Sequence, residues 1–313
     1  MYRILFFFFA LILIFTACKK EPVENNEEEE QEEINDSIPE NEKDSTLVFP
    51  CNGDTSLCDQ RYNEISYATT HNAHAVQGEF NALAANQDLE VTAQLELGIR
   101  CLNFKSYWTD DNNCGPEGHY LYHGIPLGGC VPLAGFLSDI KTWLDGNPYE
   151  VITFTIEPGA SVGQLDQSFT DAGLKPFMYQ HTFGEEWPTL KTLIESEKRL
   201  IVFTNKGSDN ENYEGFHDYW NYTFDTDYRA KSRSDFDCDK DRGNANGDFF
   251  LLNHFLTNTS PQPDSAAGIN DYSYLLQRAE LCTSERGKQP NFVMVDFAGQ
   301  GNLVDVVNTL NEQ

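Results

Sequence analysis

The chain has 313 residues, 40% of them hydrophobic, and carries 50 acidic against 21 basic side chains for a formal charge of −29. A surplus of carboxylates on this scale argues against nucleic acid as a partner, because phosphate binding needs clustered Lys and Arg. It equally disfavours electrostatic docking on an anionic bilayer.

Arg3, the apolar run Ile4–Phe15 and Thr16-Ala17-Cys18 have the charged start, apolar core and small final residues of an export signal. The run is too short for a spanning helix, which needs about 20 apolar residues. Phe15-Thr16-Ala17-Cys18 resembles a bacterial lipobox, which implies lipidation of Cys18 and a place in the cell envelope. The acidic residues after it resemble the surface-export signals of some Gram-negative lipoproteins, which implies the outer membrane or cell surface. Residues 19–46 follow as Lys19-Lys20 and a Glu-dominated run. So few large apolar side chains cannot offset the entropy of ordering, and a disordered acidic linker is expected. Residues 47–313 show no Pro/Gly/Ser-rich break and no repeat, so a single domain and a monomer are expected.

Within that domain five short apolar runs each end on polar residues: Ile65–Asn72, Ile99–Tyr107, Tyr120–Gly124, Val151–Gly159 and Phe292–Phe297. Short β-rich runs between helical segments are the pattern of parallel strands buried on both faces. Further strands are expected at Phe177–Tyr179, Leu200–Thr204 and Phe249–Leu252. Apolar residues at helical spacing predict helices at Asp88–Leu97, Leu133–Leu144, Val162–Ala172, Leu190–Glu195, Tyr272–Glu280 and Leu303–Leu310. Seven or eight strands with crossover helices make a TIM-type (β/α) barrel, irregular or incomplete. An open doubly wound sheet is the competitor, but no glycine-rich phosphate loop follows any strand.

In a barrel the C-terminal strand ends form the active site. His71, Asn72, Asn103, Lys105, His123, Glu157 and Asp296 would then converge, and Asn205 and His254, which follow two other strands, join them as pocket residues. Two histidines with a carboxylate and a cation are a general acid/base set. His74, His119, His181 and His217 carry no such context. Of the seven cysteines after Cys18, Cys51 and Cys58 bracket a tight turn and are expected to pair. Cys114 and Cys130 flank the Tyr120–Gly124 run, Cys238 and Cys282 lie in loops able to meet, and Cys101 is left inside a strand. Asp235, Asp237, Asp239 and Asp241 alternate before Gly243, but the glycine is misplaced for a calcium loop and no Glu closes it.

Tyr67-Ala-Thr-Thr-His-Asn, Leu97-Gly-Ile-Arg-Cys-Leu-Asn-Phe-Lys, Leu121-Tyr-His-Gly, Lys141 through Ile152 and Asn291-Phe-Val-Met-Val-Asp-Phe resemble, in order, the X domain of phosphatidylinositol-specific phospholipases C. The likeness is to the secreted bacterial and fungal PLC-like phosphodiesterases and spans nearly all of residues 48–313. It implies a TIM-type barrel and a substrate that is a phosphodiester small molecule or phospholipid. It further implies His71 as general base toward a substrate hydroxyl, His123 as general acid toward the leaving oxygen, and Asp296 as the carboxylate orienting His71. A cyclic phosphate would form and then be opened by water.

The charge-stabilising group departs from the family. Calcium-dependent members use an Asn matched by Asn72, a Glu matched by Glu157 and two acids between them, where this chain has Asn103 and Lys105. Metal-independent members place an Arg at the position of Lys105. An ammonium repels Ca²⁺, so no cofactor is expected and Lys105 is assigned the stabilising charge, with Ca²⁺ at Asn72 and Glu157 as the alternative. The rival function is a non-catalytic barrel that kept the phosphate pocket and lost turnover.

Overall fold

The computed structural model describes residues 49–206, 212–257 and 263–313. The expected export signal with Cys18 and the expected acidic linker 19–46 lie outside these residues. In chain order the elements are β1 (Tyr67–Thr70), α1 (Val91–Leu97), β2 (Cys101–Thr109), β3 (Gly118–Leu121), β4 (Val131–Pro132), α2 (Leu133–Gly146), β5 (Ile152–Pro158) and α3 (Val162–Asp171). They continue with α4 (Leu190–Glu195), β6 (Leu200–Thr204), β7 (Phe216–Asp218), α5 (Tyr219–Tyr222), β8 (Thr223–Thr226), β9 (Lys240–Gly243) and β10 (Phe249–Asn253). The last four are α6 (Pro263–Ile269), α7 (Tyr272–Arg286), β11 (Phe292–Val295) and α8 (Leu303–Asn311).

Parallel ladders join β7, β6, β5, β2, β1, β11, β10 and β8 in that spatial order, curling the sheet into a barrel. No ladder joins β7 to β8 among the described residues, and β9 pairs antiparallel on the outer edge of β8. The barrel is therefore irregular and open at one seam.

Side-chain alternation splits each strand between two cores. Leu102 and Phe104 of β2, Phe154 and Ile156 of β5, and Val293 and Val295 of β11 face outward. There they meet Leu137, Ile140 and Leu144 of α2, Leu165 and Phe169 of α3, and Val306 and Leu310 of α8. Tyr67, Cys101, Phe203, Phe249, Leu251, Phe292 and Met294 face inward with Tyr62 and Trp187. This inner plug closes one end of the barrel, and the same inward rows run on to polar residues at the other end. Gly98 shows how tightly helix and sheet pack: it ends α1 at φ 111°, donating to Gln94 O and Leu95 O, and a Cβ there would lie 3.0 Å from Val304 Cγ1.

Disulfides link Cys51–Cys58, Cys114–Cys130 and Cys238–Cys282, while Cys101 is a free, buried thiol. The acids before Gly243 are taken up locally: Asp235 accepts from the Lys231 and Ser232 amides, Arg286 reaches Asp239 at 3.2 Å and Arg229 reaches Asp241 at 2.8 Å.

Two expectations need correcting. The Tyr120–Gly124 run is no barrel strand, since β3 pairs antiparallel with Ser106–Thr109 of β2. β2 is nine residues long and outruns the rim. Its far half is paired by a hairpin instead of a crossover, and the Cys114–Cys130 bridge ties the loop joining β2 and β3 to the residue before β4. Phe177–Tyr179 is also not a strand: Lys175–Phe177 forms a 3-10 turn, Pro176 lacks the amide a ladder needs, and Met178 makes only an isolated bridge to Leu200.

Candidate active site

The inward rows carry the site. Along β2 the row Cys101, Asn103, Lys105 alternates with Leu102 and Phe104. Along β5 the matching row is Thr153, Thr155, Glu157. Register pairs Lys105 with Glu157 directly across the ladder, and Lys105 Nζ lies 3.4 Å from Glu157 Oε2. Lys105, Glu157, Asn103 and Asn205 line one pocket together with His71, Asn253 and Phe255.

His71 follows β1, and Asp296 follows its parallel neighbour β11. The one-to-one register from Tyr67↔Phe292 to Thr70↔Val295 brings the two residues level. His71 Nδ1 lies 2.8 Å from Asp296 Oδ1, and the ring stacks on Phe255 with centroids 4.0 Å apart. Asn72 turns the chain with a positive φ of 46°. That turn aims its Nδ2 back at His71 Nε2, 2.9 Å away. Asn103 Oδ1 accepts the Asn72 amide at 3.2 Å, and its Nδ2 donates to Thr155 O and Oγ1.

His123 reaches the site from the turn after β3. Its Nδ1 donates to Ala84 O at 2.9 Å, and its ring meets that of His71 edge to face with centroids 6.3 Å apart. Burial holds the His123 imidazole below its ordinary pKa, partly offset by the Ala84 carbonyl, and the neighbouring His71 and Lys105 lower it further.

Residues to which the sequence assigned no role complete the pocket: Tyr219, Trp220, Tyr228, Arg242, Asn253 and Phe255. Asp225 of β8 is fully buried and accepts from Arg242 N at 2.9 Å, Arg242 Nε at 3.0 Å, Arg242 Nη2 and Asn253 Nδ2. Burial pushes the Asp225 carboxyl above its usual range, and the bonds from Arg242 pull it back. The Arg242 guanidinium sits over the Trp220 and Tyr228 rings, 4.8 and 4.2 Å from their centroids. The signal that could have found this wall is its aromatic density, Tyr219-Trp220 to Tyr228, next to a strand too short to show a period.

His254 is the residue the structure removes from the pocket. Asn253 faces inward, so its neighbour must face outward. His254 stacks on Phe236, with Nε2 2.8 Å from Ile269 O and Nδ1 accepting from Arg278 Nη1. Burial, then Arg278, lowers its pKa to about 3. His74, His119, His181 and His217 also hold structural positions: His181 stacks on Trp187, and His217 Nε2 accepts the His181 amide.

The donor set does not suit calcium. Ca²⁺ takes 6–8 oxygen ligands and favours carboxylates. Here Glu157 is the single acid of the set and already faces the Lys105 ammonium, while Asn103 is committed to Asn72 and Thr155. Among the described residues no group of three or more His, Cys, Asp or Glu is arranged to hold a metal.

Comparison with known proteins agrees with this architecture. The sequence profile of the PI-PLC X family matches residues 57–311. A PI-PLC X domain-containing protein of the fungus Arthroderma benhamiae is 30% identical over 280 residues, covering 83% of this chain and 89% of the relative. An uncharacterized secreted protein of the same fungus is 28% identical over 288 residues, covering 84% of this chain and 63% of the relative. Among solved structures, the phosphatidylinositol-specific phospholipase C of S. aureus superposes with a TM-score of 0.55 at 16% identity, covering 83% of this chain and 96% of the other. That of Listeria monocytogenes gives 0.51 at 16% identity, covering 82% and 94%. The profile match spans both histidines, the Lys105–Glu157 pair and Asp296, and the chain belongs to the PI-PLC X domain family.

Proposed function

We propose that this chain is a phosphoric diester hydrolase that cleaves an inositol- or glycerol-linked phosphodiester by two-histidine acid/base chemistry without a metal. The observation that carries this reading is the pairing of His71 with Asp296 at 2.8 Å, with His123 facing the same ring and Lys105 lining the same pocket. His71 Nε2 takes the proton of a substrate hydroxyl, which attacks phosphorus. His123 protonates the leaving oxygen from Nε2, its Nδ1–H staying on Ala84 O. The anionic substrate favours the charged form of His123, opposing the burial that lowers its pKa in the free protein. Lys105 offsets the charge that builds on the phosphoryl oxygens, and Arg242 supplies a second positive group to the pocket. The cyclic phosphate is then opened by water with the histidine roles reversed.

Three observations favour a lipid substrate at the cell exterior. Leu83, Ile125 and Leu127 are exposed on the two turns that hold His123. The described residues contain three disulfides, and a relative is described as secreted. The Cys18 anchor would place the enzyme on the envelope.

The test is hydrolysis of phosphatidylinositol, glycerophosphoinositol, lysophospholipids and bis-aryl phosphates with and without EDTA. Turnover should survive EDTA, and Lys105→Ala should lower kcat by about 10²–10³-fold. Lys105→Arg should recover part of the loss, limited by the bulkier planar head. Activity abolished by EDTA and restored by Ca²⁺ overturns the metal-free step. Saturable inositol phosphate binding without hydrolysis makes the protein a binder.

A further inference from the structure

Four side chains at the base of the pocket close a hydrogen-bonded ring. His71 Nδ1 lies 2.8 Å from Asp296 Oδ1, and the same oxygen accepts from Asn86 Nδ2 at 3.1 Å. Asn86 Oδ1 accepts from Asn72 Nδ2 at 3.1 Å, and Asn72 Nδ2 lies 2.9 Å from His71 Nε2. Asn72, Asn86 and Asp296 are 0%, 2% and 6% exposed, so water does not compete for these bonds.

An ionised carboxylate only accepts, and that one fact sets the direction of every bond in the ring. Asn86 must present its NH₂ to Asp296, which leaves its carbonyl oxygen toward Asn72. Asn72 must then present NH₂ to Asn86 and, with the same group, to the imidazole. His71 must donate at Nδ1 and accept at Nε2. Turning either amide over sets oxygen against oxygen. The ring admits one form of His71, the neutral tautomer with its proton on Nδ1.

Asn86 cannot swing away. Its amide donates to Ala75 O at 2.8 Å and its carbonyl accepts from Phe297 N at 2.7 Å. The next residue, Gln87, donates to His71 O at 2.7 Å and Val295 O at 3.3 Å and accepts from Ala298 N at 3.1 Å. The pair staples the loop before α1 across the ends of β1 and β11.

We propose that Asn86 is a positioning residue that fixes the tautomer of His71 through Asn72 and Asp296. The proposal rests on the acid/base reading above and deepens it. Asn86 is not among the residues lining the pocket, so it acts through others. By holding the Asn72 NH₂ against Nε2 it keeps a lone pair there for the substrate hydroxyl. A hydrogen at Nε2 would set N–H against the Asn72 N–H, so the ring holds the tautomer protonated at Nδ1. The charged and titratable groups around His71 are Asp296 after β11, His123 after β3, Lys105 on β2, Glu157 on β5, Arg242 on β9 and the buried His74. Phe255 covers one ring face.

The test reads the tautomer itself, which needs no turnover. In long-range ¹H–¹⁵N spectra of the full chain labelled in histidine, with His71 assigned by its loss in His71→Gln, wild-type His71 should show a protonated Nδ1 and a bare Nε2. In Asn86→Ala, and in the smaller perturbation Asn86→Ser, the Nε2-protonated tautomer should appear. With that change kcat should fall about 10–100-fold, as when other orienting partners of histidine are lost, at nearly constant KM. A bare Nδ1 in the wild type overturns the proposal, as does an unchanged tautomer in either folded variant. A wild type that hydrolyses nothing but shows the tautomer shift on substitution supports the role of Asn86 and sinks the catalytic reading instead.

Discussion

Two polar clusters serve the pocket by opposite electrostatic designs. Around His71, one carboxylate is shared between an imidazole and the Asn86 amide, and the remaining member, Asn72, is also an amide. Around Arg242, a full positive charge is locked on a fully buried Asp225 and packed between two aromatic faces. Under the proposed mechanism His71 gains and loses a proton each cycle, and such a group must not sit in a field that commits it to one charge state. A group that only offers positive charge must be held in one. The first cluster is therefore a set of oriented dipoles and the second an ion pair.

By that contrast, losses in the first cluster should fall on rate with little cost in stability, whereas losses in the second should cost stability whatever they do to rate. His71→Ala or His123→Ala should lower kcat by about 10²–10⁴-fold with the melting temperature nearly unchanged. Two fully active single variants would end the two-histidine mechanism. Urea unfolding should show the reverse at the second cluster. Arg242→Met strands a buried carboxylate and should cost about 3–5 kcal/mol. Asp225→Asn should cost less, about 1–3 kcal/mol, because the half-exposed Arg242 can turn to water. Equal losses in the two variants would show that Asp225 is not held as a buried charge.

A pH-dependent effect separates both clusters from the structural histidines. His74 and His254 are pushed down to about 3 and His217 to about 4, in each case chiefly by burial, from an ordinary value of 6.5. A base whose folded pKa lies below its unfolded value is bound by protons first in the unfolded chain. Its contribution to stability is whole above about pH 6.5 and is lost as pH falls toward the folded values. The melting temperature should therefore decline steadily below about pH 6.5, and a flat profile down to pH 4 would contradict the buried, neutral state of these rings.

Much of the site was legible from the chain because strands have a period of two and barrels gather strand ends. Asn103 and Lys105 are two apart on one strand, Glu157 ends the next, and His71 and Asp296 end two that pair, so finding the strands placed the residues. The same rule, applied one residue off, misplaced His254: the sequence marks that a strand ends near Asn253-His254 but not which of the two faces in.

What only the tertiary structure decided depends on contacts between distant segments. β7, β8 and β9 are three or four residues long, too short for any periodicity to rise above noise, and they take their form from the ladders to β6 and β10. The hairpin that delivers His123 exists because β2 runs past the rim and needs a partner there. Asn86 lies in Ala84-Ala85-Asn86-Gln87, a stretch with no apolar pattern and no charge. Its meaning comes from Asp296, 210 positions away, whose carboxylate gives direction to the whole ring. Sequence determined which residues could do chemistry at strand ends. The fold decided which way each faces and who supplies its protons, because orientation and hydrogen-bond polarity are properties of the assembled neighbours and not of any one segment.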